Sequence, residues 1–273
     1  KTERFRRLQK RVSSMVSLLS EETKRYKARV SYDGTNFHGF APNPGVETVG
    51  GLIQSSLEKV LRSETKITCA GRTDAGVHAQ GHVITFDAKP INESQIQKSL
   101  NRLCSPFVGI LSLEEVGSNF DARFSAKSRT YRYQILNQLY PDPLLQRFVW
   151  HLNNELDIFS MQKATSALIG EHDFSSFCRK RILKKDGLKT EASLVREILS
   201  LEVVAAESNI IEIWVKATSF CHQMVRSITG TLVDVGLGKI EISSVTNILL
   251  EKDRNAAGRV APPQGLTLMD VIY

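Results

Sequence analysis

The residues from Cys69 to His78 read Cys-Ala-Gly-Arg-Thr-Asp-Ala-Gly-Val-His, with Asp74 at their centre, behind Arg72 and between two glycines. An aspartate so placed has four uses: metal ligand, general base, nucleophile, or turn-former accepting a local backbone hydrogen bond. Nucleophilic use asks most of its surroundings. Burial raises a carboxyl pKa, so a half-buried aspartate stays anionic only beside a cation. The metal use lacks companions. Cys69, Cys104, Cys178 and Cys221 are widely spaced with no Cys-x-x-Cys pair, which argues against both a zinc site and a disulfide framework and fits a reducing interior. His78 and His82 stand four apart, but Gly81 and the strand pattern after it oppose a helix that would align them. No metal is expected.

The elements that must position Asp74 read out in order. Tyr26, Ala28, Val30 and Tyr32 alternate with polar residues, a half-buried strand ending at the Asp33-Gly34 turn. Thr48 caps a helix with Leu52, Ile53, Leu57, Val60 and Leu61 on one face. Short strands are expected at residues 67–69 and 83–86, on either side of the Asp74 turn, then a helix over 93–104 and a strand over 107–116. That order resembles a ferredoxin-like plait. The second half runs similarly: a strand over 130–136, a helix near 157–168, an antiparallel pair over 194–204 and 210–217, and helices from Met224 and near 243–251. A last strand covers 266–273. Residues 179–190, rich in lysine and arginine, show no periodicity and read as a mobile basic insertion. Three parts result: a basic helical extension over 1–25, a first plait-like half over 26–125 carrying Asp74, and a second half over 126–273 completing a cleft.

The chain has 273 residues and a net charge of +7, which favours an anionic partner such as nucleic acid. No apolar run reaches the ~20 residues that span a bilayer, so no membrane role is expected. Gly236-Leu237-Gly238-Lys239 lacks the spacing of a phosphate loop, and no Gly-x-Gly-x-x-Gly follows a strand. Chemistry driven by ATP or a nicotinamide is disfavoured. Residues 1–27 carry nine cations and an apolar stripe at helical spacing, compatible with packing, RNA contact or a targeting remnant.

From about residue 26 onward, several motifs occur together and in order. They are Tyr32-Asp33-Gly34-Thr35, the Gly71–His78 run, Phe120 to Ala126 followed by Arg129-Thr130-Tyr131-Arg132-Tyr133, Gly170 to Phe174, Phe220 to Arg226, and Ala261 to Leu266. Together they resemble the TruA-type tRNA pseudouridine synthases. The chain departs from that pattern at Phe40, where the family usually has tryptophan, at Ala41-Pro42-Asn43, and at Leu100 to Pro106.

The resemblance implies an α/β pseudouridine synthase fold, two ferredoxin-like halves sharing a central antiparallel sheet with the active cleft between them. It implies Asp74 as catalytic aspartate, Arg226 as its basic partner and Tyr131 as the active-site tyrosine. Tyr131, Arg72, Arg129 and His222 are expected to bind substrate, with Arg72 filling the space of an extruded base. Tyr133 shares a strand face with Tyr131 and reads as core. Arg123, Lys127 and Arg132 join Arg129 as candidates for phosphate contacts. The implied reaction isomerises uridine to pseudouridine in the anticodon arm of tRNA (positions 38 to 40) with no cofactor, in a homodimer located in the cytoplasm or an organellar matrix. Two rivals stand beside it. A non-catalytic RNA-binding module has little use for Asp74 and Arg226, and a metal-dependent base hydrolase needs ligands this chain lacks.

Overall fold

The computed structural model describes residues 23–179, 182–185 and 188–273, with the side chains of 182–191 left out of the description. The expected helical extension lies outside the described residues as far as residue 22. Lys24 and Arg25, its last expected members, already belong to β1 (Lys24–Tyr32). That strand buries Tyr26, Ala28, Val30 and Tyr32 on one face, as its period of two predicts. On its other face basic residues meet acids of neighbouring strands: Arg25 with Asp87 and Lys27 with Glu114, at 2.7 and 2.6 Å. Part of the positive charge counted from sequence is thereby neutralised at the surface.

Helix α1 (Val49–Leu61) starts where Thr48 accepts the Gly51 N–H at 3.1 Å, and buries Ile53 and Leu57. Then follow β2 (Thr68–Cys69), β3 (His78–Ala88), α2 (Glu93–Cys104) and β4 (Val108–Val116). The second half contributes β5 (Ser128–Asn137), β6 (Trp150–Leu152), α3 (Ile158–Thr165), β7 (Gly170–Asp173), β8 (Ile182–Lys185), β9 (Leu188–Glu191), β10 (Val195–Ala205) and β11 (Ile210–Ala217). It closes with α4 (Met224–Gly236), α5 (Ser244–Glu251) and β12 (Leu266–Ile272). The main sheet runs β4-β1-β3-β12-β5-β11-β10-β7, with β2 paired to β3 and β6 to β5.

Both halves obey the plait rule, in which the last strand flanks the first and the first flanks the third: β4-β1-β3 in one half, β12-β5-β11 in the other. They fuse where β12 runs parallel to β3, Thr267 beside His78 and Leu268 beside Ala79. The shared sheet is thus antiparallel except at this seam and at the short β5–β6 pair. One apolar cluster extends beneath both halves, with Tyr26, Phe40 and Leu57 from the first and Tyr133, Ile213 and Leu232 from the second.

Three expectations are corrected, and two short strands were not expected. Strand β3 begins at His78, not Val83, and runs through Gly81, where a Cβ would stand 2.2 Å from the Met269 carbonyl of β12. Residues on both of its faces are buried, so no alternation marks it in sequence. The helix near 157–168 ends at Thr165, and Ser166–Leu168 tightens into a 3-10 turn. The basic insertion contains a two-stranded hairpin, β8 against β9 from Ile182–Glu191 to Lys185–Leu188. Strands β6 and β7, three and four residues long, are too short for periodicity to declare. No helix among the described residues is long and apolar enough to cross a membrane.

Candidate active site

The loop between β2 and β3 carries Asp74, and several of its peptides are tied down. Ala70 N–H donates to Val83 O at 2.9 Å, and Phe40 N–H to Thr73 O at 3.1 Å. The Thr73 hydroxyl meets the Tyr32 hydroxyl at 2.8 Å. His82 Nε2 donates to Gly71 O at 2.8 Å. Gly76, at φ +77, turns the chain back, and Val77 N–H closes on Asp74 O at 3.2 Å. The turn is therefore made by backbone and glycine, and the Asp74 carboxylate faces across the seam.

What it faces comes from the other half. Arg226, in the first turn of α4, places Nη1 2.9 Å from Asp74 Oδ2. Its Nε donates to Ala261 O at 2.7 Å, and Ala261 N–H donates to Arg226 O at 3.0 Å. Residues 259–261 can lie so close because Gly230 carries no side chain: a Cβ there would stand 1.7 Å from Arg259 O. His222 brings Nε2 to 3.2 Å from Asp74 Oδ1. Gln223, in the left-handed region at φ +64, turns the chain from that histidine into α4.

Tyr131, on β5, is buried with its ring edge-on to Phe220 at 5.0 Å. Burial pushes its phenol pKa up, the nearby Asp74 charge adds to this, and Arg129 opposes it. The hydroxyl is therefore a neutral donor and acceptor near pH 7. Tyr133 is fully buried, its hydroxyl donating to Pro262 O at 2.7 Å. Arg72 is exposed on the Asp74 loop.

Two candidates for phosphate contact, Arg129 and Arg132, are engaged within the protein. Arg129 is 9% exposed and points inward. Its guanidinium donates to the carbonyls of Ala70, Arg123 and Thr218 at 2.9, 2.8 and 2.7 Å, and to Ala126 O at 3.3 Å. A planar fork of five N–H donors suits such a cage of carbonyls, so Arg129 braces the Asp74 loop from the second half instead of reaching for phosphate. Arg132 pairs with Glu212 at 3.3 Å and lies over the Trp214 ring. His222, expected at the substrate, contacts the carboxylate directly. The histidines weighed as metal ligands are structural: His78 Nδ1 accepts the Gly34 N–H, and His82 anchors Gly71. Burial pushes the His82 pKa down to about 4, so the ring is neutral. No group of three His, Cys, Asp or Glu among the described residues is placed to hold a metal.

Sequence reasoning missed Tyr32, His82 and Ala261 as parts of the site. Tyr32 and Ala261 left a signal, each inside a motif that resembled the family. The contacts of Tyr32 and His82 depend on partners 41 and 11 positions away.

Two plaits fused through one sheet thus hold a guanidinium-paired carboxylate at their seam. A family model described as tRNA pseudouridine synthase matches residues 28–125 and 164–273. A relative named tRNA pseudouridine synthase A from Listeria innocua is 40% identical over 253 residues, covering 91% of this chain and 99% of that protein. A protein of the same name from Caldicellulosiruptor saccharolyticus is 38% identical over 245 residues, covering 89% of this chain and 97% of its own length. Among solved structures, a Cbf5-Nop10-Gar1 complex aligns with TM-score 0.31 and 12% identity, covering 89% of this chain and 58% of that one, a likeness too slight to add to the argument. The chain belongs to the tRNA pseudouridine synthase family, and is of the TruA type.

Proposed function

We propose that this protein isomerises uridine to pseudouridine in the anticodon arm of tRNA, with Asp74 as attacking carboxylate and no cofactor. The observation that carries the reading is the 2.9 Å contact between Asp74 and Arg226, two residues from different halves that meet at the seam. In the reaction the bond between ribose and the uracil nitrogen breaks, and one from ribose to carbon 5 forms. Carbon 5 loses its proton and the freed nitrogen takes one up, so no atom or electron is gained. Asp74 bonds transiently to the base or the sugar and is released, splitting one hard displacement into easier steps. Arg226 pairs with it between turnovers and fixes its orientation. Tyr131 stacks on the uracil, a contribution of about 1–3 kcal/mol, and its neutral hydroxyl serves the carbon-5 proton. A paired uridine must leave the stem first, at a cost of a few kcal/mol. The exposed Arg72 takes the vacated space.

The protein acts as a homodimer with one tRNA arm spanning both copies, in a compartment that holds tRNA, the cytoplasm or an organellar matrix. Exposed Leu139, Tyr140 and Leu144, in the loop between β5 and β6, support the contact between copies. Tritium release from tRNA labelled at uracil carbon 5 tests the activity. The wild type is expected to release label, and Asp74→Ala to bind tRNA in a gel shift without releasing it. Equal release from both proteins removes the catalytic assignment.

A further inference from the structure

Beside the loop that presents His222 lies a cleft of ≈ 510 Å³, lined by Cys178, Arg179, Gln223, Lys252, Asp253 and Arg254. Three of these residues are cationic and one is acidic, and the acid is already engaged. Asp253 Oδ1 accepts the Asn255 backbone N–H at 3.0 Å and its side-chain amide at 3.2 Å. Arg254 gives one N–H to Ala257 O at 3.3 Å, and the other donors of its fork remain for a ligand. Lys252 ends α5 in the left-handed region at φ +53, with its ammonium 3.2 Å from Asp173 and its side chain 60% exposed. Arg179 is exposed, and its backbone N–H donates to His222 O at 3.1 Å.

The lining contains no aromatic ring on which a base could stack, and its donors are of the kind that clasp phosphate oxygens. Its position is also telling. Gln223 lines the cleft, and the residue before it, His222, contacts Asp74. We propose that this cleft seats a phosphodiester of the RNA strand that carries the target uridine, with Arg179, Lys252 and Arg254 as its donors. This rests on the tRNA isomerase reading above. A phosphate held here also steadies Arg179 and, through the Arg179–His222 hydrogen bond, the loop that meets the catalytic carboxylate.

The test measures tRNA dissociation constants over a range of salt concentrations for wild type, Arg179→Gln, Lys252→Gln, Arg179→Lys and Lys98→Gln. Lys98 is exposed on α2 of the other half and serves as a charge control. Each phosphate contact adds about 0.7–0.9 to the slope of log affinity against log salt. Arg179→Gln and Lys252→Gln are each expected to bind roughly tenfold more weakly, with the slope shallower by about that amount. Arg179→Lys should keep the slope, and Lys98→Gln should match the wild type. Wild-type affinity and slope in both cleft variants overturn the proposal. So does an equal loss in Lys98→Gln, which reports net charge alone. Tritium release is followed in parallel. A wild type that binds with the full slope but releases no tritium sinks the isomerase reading and leaves the cleft standing. Normal release with unchanged slopes removes the cleft alone.

Discussion

Asp74 and Arg226 stand 152 positions apart in the chain and 2.9 Å apart in space, and the residues around them sort by what each can lose. Tyr131→Phe keeps the ring and removes the hydroxyl. The expected result is a fall in kcat of about a hundredfold or more, in the range of general acid–base catalysis, with tRNA affinity within about twofold. Tritium release together with filter binding measures both, and a kcat within threefold of wild type denies the hydroxyl a role. His82 offers a test of stability. Its folded pKa, about 4, lies below the ordinary 6.5, so the unfolded chain binds the extra proton between those values. Stability from this residue is complete above pH 6.5, erodes as pH falls towards 4, and is lost below. The whole gap corresponds to about 3 kcal/mol. Denaturant midpoints of wild type and His82→Gln should therefore converge or cross as pH drops through that window. Parallel curves contradict the assignment.

Among the elements, those with one face to the solvent were plain in the sequence. Strand β1 alternates visibly, α2 matches residues 93–104 end to end, and β10 and β11 pair as expected. What was hidden follows a physical rule. Covering both faces of β3 erased its alternation, and the β8–β9 hairpin rests on backbone pairing in a stretch with no apolar rhythm. Arg129 is the instructive case. Its charge suggested phosphate, but it shares a strand parity with Tyr131, Tyr133 and Ile135, all buried on β5, and that parity was the better guide. The pairing of Asp74 with Arg226, by contrast, was expected from motif resemblance and is found, while their bracing came from partners no local pattern names. Arg129 joins β5 to the Asp74 loop and to Thr218 beyond β11. Arg129→Leu leaves several carbonyls without a donor, at about 1–3 kcal/mol for each buried one. A loss of roughly 3 kcal/mol or more is expected by chemical denaturation, and Arg129→Lys should recover only part of it because an ammonium cannot span the cage. Unfolding at the wild-type midpoint dismisses the brace.

At the scale of the molecule, the loop between β5 and β6 displays Leu139, Tyr140 and Leu144, the last 87% exposed. Apolar side chains grouped this way on an otherwise charged surface suit contact with a second copy. Leu144→Asp is expected to shift sedimentation from dimer to monomer while leaving the melting temperature within about 2 °C, since an exposed side chain adds little to the fold. A monomeric wild type ends the dimer proposal.

The seam strand β12 has a further consequence, one of timing. Residues 266–272 emerge from the ribosome after both strands they join, β3 and β5. Until then the growing chain carries Asp74 on one module and Arg226 on the other. The Asp74–Arg226 pair thus sits across a junction that β12 joins only after β3 and β5 have been made. A chain stopped short of residue 266 lacks both the outer strand of the second plait and the link to β3.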